Sequence, residues 1–148
     1  KKIEEQERKL AKEKDDYVRL MAEFETFRRR SSEDRLNLIS SAAADTIKGL
    51  LPVLDDCERA MEILEKSSDE AAKEGTSLIY TKLMDYLKTR GLAKIEAKGE
   101  DFNTDFHEAV TQFPAPSEDM KGKVIDVVQT GYMLNGKILR YAKVVVGA

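Results

Sequence analysis

Cysteine, histidine, tryptophan and proline are scarce in this chain of 148 residues: one Cys, one His, no Trp and three Pro. A single cysteine, Cys57, excludes an intramolecular disulfide and any cysteine-only zinc site. A single histidine, His107, excludes a metal centre built on several imidazoles. No apolar run is long enough for a membrane helix or a secretory core segment. Charge of one sign is also missing, since 25 Lys and Arg stand against 28 Asp and Glu for a formal net charge of −3. Both signs occur along the whole chain, so general attraction to nucleic acid or to anionic lipid is excluded. The length suits one compact domain, or a small domain with an extended element, and not two full-sized domains. An opening Lys1-Lys2 without Met reads as a piece of a longer protein.

The most informative absence is local. Between Lys1 and Lys48 there is neither glycine nor proline, the first of each being Gly49 and Pro52. That stretch is rich in Glu, Lys, Arg, Leu and Ala, all good helix formers, and predicts one very long helix over 1–49. Ile3, Leu10, Tyr17 and Phe24 fall seven apart, with Leu20 and Phe27 three residues after the last two, which is a heptad seam. Gln6 and Glu13 weaken it at the earlier positions of the second kind. Beyond Phe27 the apolar set shifts to Leu36, Ile39, Ala43, Ile47 and Leu50, so the supercoil is expected to change there. Such a helix is about 70 Å long at its rise per residue, whereas a compact globule of this chain length is about 40 Å across. An exposed seam of that length needs a partner, and a second copy of the chain is the expected one.

Residues 50–91 predict a helical hairpin. Leu50, Leu51, Leu54, Cys57, Met61 and Leu64 form a stripe at helical spacing, and Pro52 either starts a helix there or kinks one. Ser67 and Glu70 have the capping-box spacing for a second helix. Its apolar stripe is Leu78, Ile79, Leu83, Tyr86 and Leu87, and Gly91 is placed to end it in the left-handed conformation. A two-helix hairpin cannot enclose a core alone, whereas two copies make a four-helix bundle, with Leu54, Met61 and Leu83 among its contacts. Residues 92–148 change to period two, with closely spaced Gly and Pro. Val124–Val128 and Ile138–Val146 are rich in strand formers, Asn135-Gly136 is a hairpin turn, and Asn103-Thr104-Asp105 can cap a short helical turn running through His107 to Val110. The fold class is α+β: a dimeric coiled-coil helix, a helical hairpin and a small all-β domain.

Few residues offer chemistry. Gly131 to Lys137 fits the glycine-and-lysine spacing of a phosphate-binding loop, but Ile138 stands where a Ser or Thr would hold Mg²⁺, and a strand follows where a helix is needed. The glycines read more naturally as hairpin punctuation. His107, beside Glu108 and near Asp101 and Asp105, has neither a nucleophile nor enough ligands around it and reads as structural. Cys57 reads as a small buried hydrophobe. Arg28-Arg29-Arg30 fits a docking patch or a plain solvated face equally well, and a basic-zipper reading fails because the heptads precede the cluster. No catalytic, cofactor-binding or metal-binding residue is expected, and no cofactor.

Several ordered motifs nevertheless resemble one family. Ala22-Glu23-Phe24-Glu25-Thr26-Phe27-Arg28-Arg29-Arg30, Leu50-Leu51-Pro52-Val53-Leu54-Asp55, Glu58-Arg59-Ala60, Phe102-Asn103, His107-Glu108-Ala109-Val110, Gly131 to Arg140 and Ala142-Lys143-Val144 are together similar to the GrpE family, the nucleotide exchange factors of DnaK-type ATPase chaperones. The resemblance covers essentially the whole chain. It implies a parallel homodimer that binds the chaperone's ATPase domain, opens its nucleotide cleft and accelerates ADP release in protein folding and the stress response. It implies that one dimer engages one chaperone through one β domain, with further helix contacts. It places Lys137, Val128 and Val146 on the chaperone-binding β surface and Arg28 and Arg29 among the helix contacts. Gly75 takes the place of a small residue allowing close approach to the long helix. Tyr141, where the family often has Pro, and Asn37, where it can have a basic residue, are departures. A bacterial cytoplasm is the expected location and a mitochondrial matrix the alternative. A coiled-coil adaptor and a nucleotide-binding enzyme are the competing readings.

The polar Gln6 and Glu13 in the seam predict that the paired helices of 1–49 melt reversibly before the β domain unfolds. Circular dichroism at 222 nm should show that early transition, and one cooperative transition shared with the β domain would refute it.

Overall fold

The computed structural model describes residues 1–148 and divides into two units, Lys1–Ala43 and Ala44–Ala148. The first unit is helix alone. It belongs to α1, Lys2–Glu65, which runs without interruption through Gly49 and Pro52. Pro52 is exposed and sits inside the helix, where its missing N–H leaves the Lys48 carbonyl without the usual partner. Pro52 therefore begins no new helix, and the change from 1–49 to 50–91 falls within one element. No residue of the first unit is buried; Ile3, Leu10, Tyr17, Leu20, Phe24 and Phe27 are all among its exposed large hydrophobics.

The second unit begins where α1 gains something to pack on. Ile47, Leu51 and Leu54, four and three residues apart, face Met84 and Leu87 of α2, Glu70–Thr89, together with Leu92, Tyr132 and Leu134. Tyr80 and Leu83 pack against the edge of that cluster, while Leu78, Ile79 and Tyr86 stay exposed. The apolar residues of α2 thus lie on two faces, and the chain itself covers only one. Helix α2 starts two residues later than the Ser67–Glu70 spacing predicts. Its cap is Asp69, whose carboxylate accepts from the Ala72 N–H at 3.1 Å, while Ser67 Oγ accepts from the Asp69 N–H at 3.1 Å. A carboxylate is the stronger acceptor and also favours the positive end of the helix dipole. Gly91 follows the helix at φ +96°, as expected.

Six strands form two three-stranded sheets. Strands β1 (Leu92–Lys94), β4 (Tyr132–Leu134) and β5 (Lys137–Arg140) make an antiparallel sheet in the order β1-β4-β5. Strands β2 (His107–Phe113), β3 (Val124–Gln129) and β6 (Ala142–Gly147) make a mixed sheet, β2-β6-β3, with β2 parallel and β3 antiparallel to the central β6. Strand β6 carries Ala142, Val144 and Val146 into a second cluster with Ala97 and Val124. The β4–β5 turn has positive φ at both Asn135 (50°) and Gly136 (80°), the requirement of a type I′ turn.

Two expectations for this region change. The run Ile138–Val146 is two strands, broken at Tyr141 where the chain leaves one sheet for the other. That crossing brings Ala142 so close to Gly131 that a Cβ there would overlap its backbone. The segment after Asn103 is a single turn, closed by the Phe106 and His107 N–H groups donating to the Asn103 carbonyl, and His107 already opens β2. Pairing along β6 supplies more backbone hydrogen bonds than continuing so short a helix would.

Leu54, expected at the dimer interface, is fully buried within its own chain. Leu54→Ala should therefore lower the unfolding free energy by about 2–5 kcal/mol in urea denaturation. A variant that kept its stability and lost only self-association would show that Leu54 serves the interface instead.

Candidate functional site

The β4–β5 hairpin is fastened to the helices by two carboxylates of α1. Asp55 and Glu58, three residues apart, project from the same side of the helix toward the β strands. Arg140, the last residue of β5, donates from Nη1 and Nη2 to the two oxygens of Asp55, each at 2.8 Å. The same guanidinium donates from Nε and Nη2 to the Thr130 carbonyl at 3.1 and 2.6 Å and lies 5.4 Å from the centre of the Tyr132 ring. Both side chains are largely buried, so this bidentate pair is shielded from competing water.

Glu58 gathers the remaining elements. Its carboxylate accepts from Tyr80 Oη of α2 at 3.1 Å, Thr130 Oγ1 at 3.0 Å and Tyr132 Oη of β4 at 3.5 Å, and pairs with Lys94 Nζ of β1 at 3.3 Å. Burial, reinforced by the negative charge of Glu58, pushes both tyrosine hydroxyls well above the usual phenol range. They stay protonated and remain donors. Lys94 also lies 5.0 Å from the Tyr80 ring centre, so its charge serves a carboxylate and an aromatic face together.

The residues singled out by sequence fall into several environments. Lys137 is exposed at the start of β5, immediately after the Asn135-Gly136 turn and three residues before Arg140. Val128 is 63% exposed on β3, beside a groove also lined by Glu62, Gln129 and Lys143. Val146 is only 7% exposed and belongs to the β core, so its side chain supports the surface from within. Arg28 and Arg29 are exposed on α1, Arg28 lying 6.0 Å from the Phe24 ring centre. Gly75 is on α2, and an added Cβ would meet nothing within 4 Å, so within one chain no close approach demands a glycine. Met61 and Leu83 are half-buried.

The motifs that suggested chemistry are occupied with holding the fold. Gly131 to Lys137 is strand, turn and strand, without the helix whose amides would cradle phosphate. His107 is buried; its Nδ1 accepts from the Asn103 N–H at 3.1 Å, and the rings of Phe102 and Phe106 lie beside it. Cys57 is half-buried rather than fully so. No helix is long and apolar enough to cross a membrane. Sequence reasoning assigned no role to Asp55, Glu58 or Arg140. The available signal was two carboxylates three apart beside the core residues Leu51 and Leu54, which is unusual on a helix flank facing inward.

What this geometry builds is a surface: a small β domain clamped on helices, with exposed apolar and basic residues, as in a protein that works by binding another. The GrpE family pattern matches residues 1–148. A protein of Bacteroides fragilis named Protein GrpE is 46% identical over 148 residues, covering 99% of this chain and 76% of that protein. The Protein GrpE of Bacteroides thetaiotaomicron is 45% identical over 148 residues (99% and 77%), and that of Porphyromonas gingivalis 47% over 146 residues (98% and 75%). The chain belongs to the GrpE family, the nucleotide exchange factors that act as co-chaperones of DnaK-type chaperones.

Burial lowers the His107 pKa below its ordinary value of 6.5, with Glu100 opposing the shift. As pH falls through about 6.5 the unfolded chain takes up this proton before the folded one, so stability present at neutral pH declines toward the lowered folded value. Urea denaturation at about pH 7.5 and about pH 5.5 should show a larger loss for the parent chain than for His107→Gln, and equal losses would refute this origin.

Proposed function

We propose that the chain binds, as a parallel homodimer, the ATPase domain of a DnaK-type chaperone and accelerates ADP release by favouring the open nucleotide cleft. A partner shifts a two-state equilibrium only by its difference in affinity for the two states. A surface that fits the open cleft better than the closed one therefore promotes release, and linkage requires bound nucleotide to weaken the complex in return. Binding alone suffices, so the protein acts without catalysing a chemical step and without a cofactor.

The observation that carries this reading is Lys137, exposed on a tight type I′ turn and held by a strand whose far end is locked to α1 through Arg140. A cation presented so rigidly loses little conformational freedom on binding. Val128 supplies an exposed apolar contact on β3, and Arg28 and Arg29 supply separate contacts on the long helix. Val146 acts from inside the β core. The second copy of the chain covers the seam from Ile3 through Leu10, Tyr17, Leu20 and Phe24 to Phe27, and Met61 and Leu83 contribute to a four-helix bundle with the partner. The functional divisions are the paired helix 1–49, the hairpin 50–91 and the β domain 92–148. Exposure of the whole seam supports a dimer, because water contact along so many large apolar side chains is unfavourable. A bacterial cytoplasm is the proposed location, consistent with the bacterial relatives.

Stopped-flow release of fluorescent ADP from the matched chaperone, chased with excess ATP, tests the reading. The parent chain should accelerate release and saturate. Lys137→Ala and Arg29→Ala should each raise the half-saturating concentration by about tenfold while sedimentation shows an intact dimer. A folded dimer with no effect on release would leave a coiled-coil adaptor, and unchanged behaviour of both variants would displace the contact surface.

A further inference from the structure

The apolar cluster around Leu51, Leu54, Leu87 and Tyr132 already holds the β1-β4-β5 sheet against the helices. Apolar burial is non-directional, however, and permits small rotations at little cost. The polar groups at the same junction are directional. Arg140 meets Asp55 through two parallel hydrogen bonds of 2.8 Å and Thr130 through two more, and Glu58 joins α2, β1, β4 and the segment before β4 at one carboxylate. A fork-to-fork guanidinium–carboxylate pair fixes orientation as well as distance. Arg140 ends the strand that Lys137 begins, so whatever fixes Arg140 fixes the hairpin.

We propose that Asp55, Arg140 and Glu58 are positioning residues for nucleotide exchange: they hold the β4–β5 hairpin at one angle on the helices, so that the docked surface fits the open cleft and resists following it as it closes. This rests on the exchange-factor reading above. A hairpin free to rock would keep its contacts with both cleft conformations and bind them almost equally. It would retain affinity and lose coupling, because a ligand with equal affinity for two states shifts nothing. The network therefore governs how far exchange is accelerated, while Lys137 and Val128 govern how tightly the chaperone is bound.

The test uses the full dimeric chain and its matched chaperone, with Asp55→Ala/Arg140→Ala, Arg140→Lys and Glu58→Gln. Removing both members of the ion pair avoids leaving one buried charge unpaired, and Arg140→Lys keeps the charge but loses the fork. The double variant should lower the maximal release rate at saturation at least about fivefold, with the half-saturating concentration within about twofold of the parent. Its affinities for nucleotide-free and ADP-loaded ATPase domain, measured by calorimetry, should converge, and Arg140→Lys should fall between. A raised half-saturating concentration with an unchanged maximum would overturn the proposal, since the network would then serve only folding or affinity. An unchanged maximum in all three variants would do the same. Should circular dichroism show the double variant unfolded, the maxima of Arg140→Lys and Glu58→Gln decide by the same criterion. Failure of the parent chain itself to accelerate release would instead overturn the exchange reading.

Discussion

The Asp55–Arg140 ion pair and the Glu58 carboxylate beside it are the constraint on which the second unit depends. Leu92, Tyr132 and Leu134 share one apolar cluster with α1 and α2, but apolar burial is non-directional and strand β1 has only three residues, so neither that cluster nor the hairpin turn fixes the angle at which the β domain meets the helices. Two carboxylates on one face of α1 supply that determination. Asp55 accepts a hydrogen bond on each oxygen from Arg140, Glu58 accepts from three hydroxyls and pairs with Lys94, and the tyrosines at Glu58 stay protonated because they are buried beside a negative charge. A partly satisfied version of this network would be worse than an apolar junction, because buried polar groups without partners are costly.

Rigidity at that junction and exposure elsewhere serve one purpose. A protein that acts by preferring one conformation of its partner needs contact residues that are accessible and do not adapt. In the reading proposed above, Lys137 is such a residue: it is exposed, and it is held by the positive φ angles of Asn135 and Gly136 and by Arg140 at the other end of the strand. Residues 1–43 show the other side of the design. They form a helix with no buried residue and with large apolar side chains exposed along its length, the feature on which the proposed self-association rests.

Much of this was legible in advance because it follows from local chemistry. The long N-terminal helix, the presence of a second helix, the Asn135-Gly136 turn and the role of Gly91 depend on propensity, spacing and φ preference, which neighbouring residues decide; that α1 continues through Pro52 does not follow from them. The misplacements share a different cause. The cap moved from Ser67 to Asp69 because two capping-competent side chains compete within one turn. Leu54 and Val146 are buried within their own chain, and a stripe of apolar residues looks the same whether it faces a partner or the chain's own core. The turn after Asn103 gave way to a strand because β6, far along the chain, offered it a ladder.

The sequence by itself determined the long helix, the order of α and β segments and the tight turn, since these arise from interactions within a few residues. It also carried the family's motifs, which name the activity. Only the tertiary structure decided that Asp55 and Glu58 turn toward Arg140, Tyr80, Tyr132 and Lys94, and that Tyr141 marks a change of sheet. Those choices join residues as many as 85 positions apart. Which carboxylate meets which cation at that separation depends on how every intervening element packs, and no local pattern encodes it.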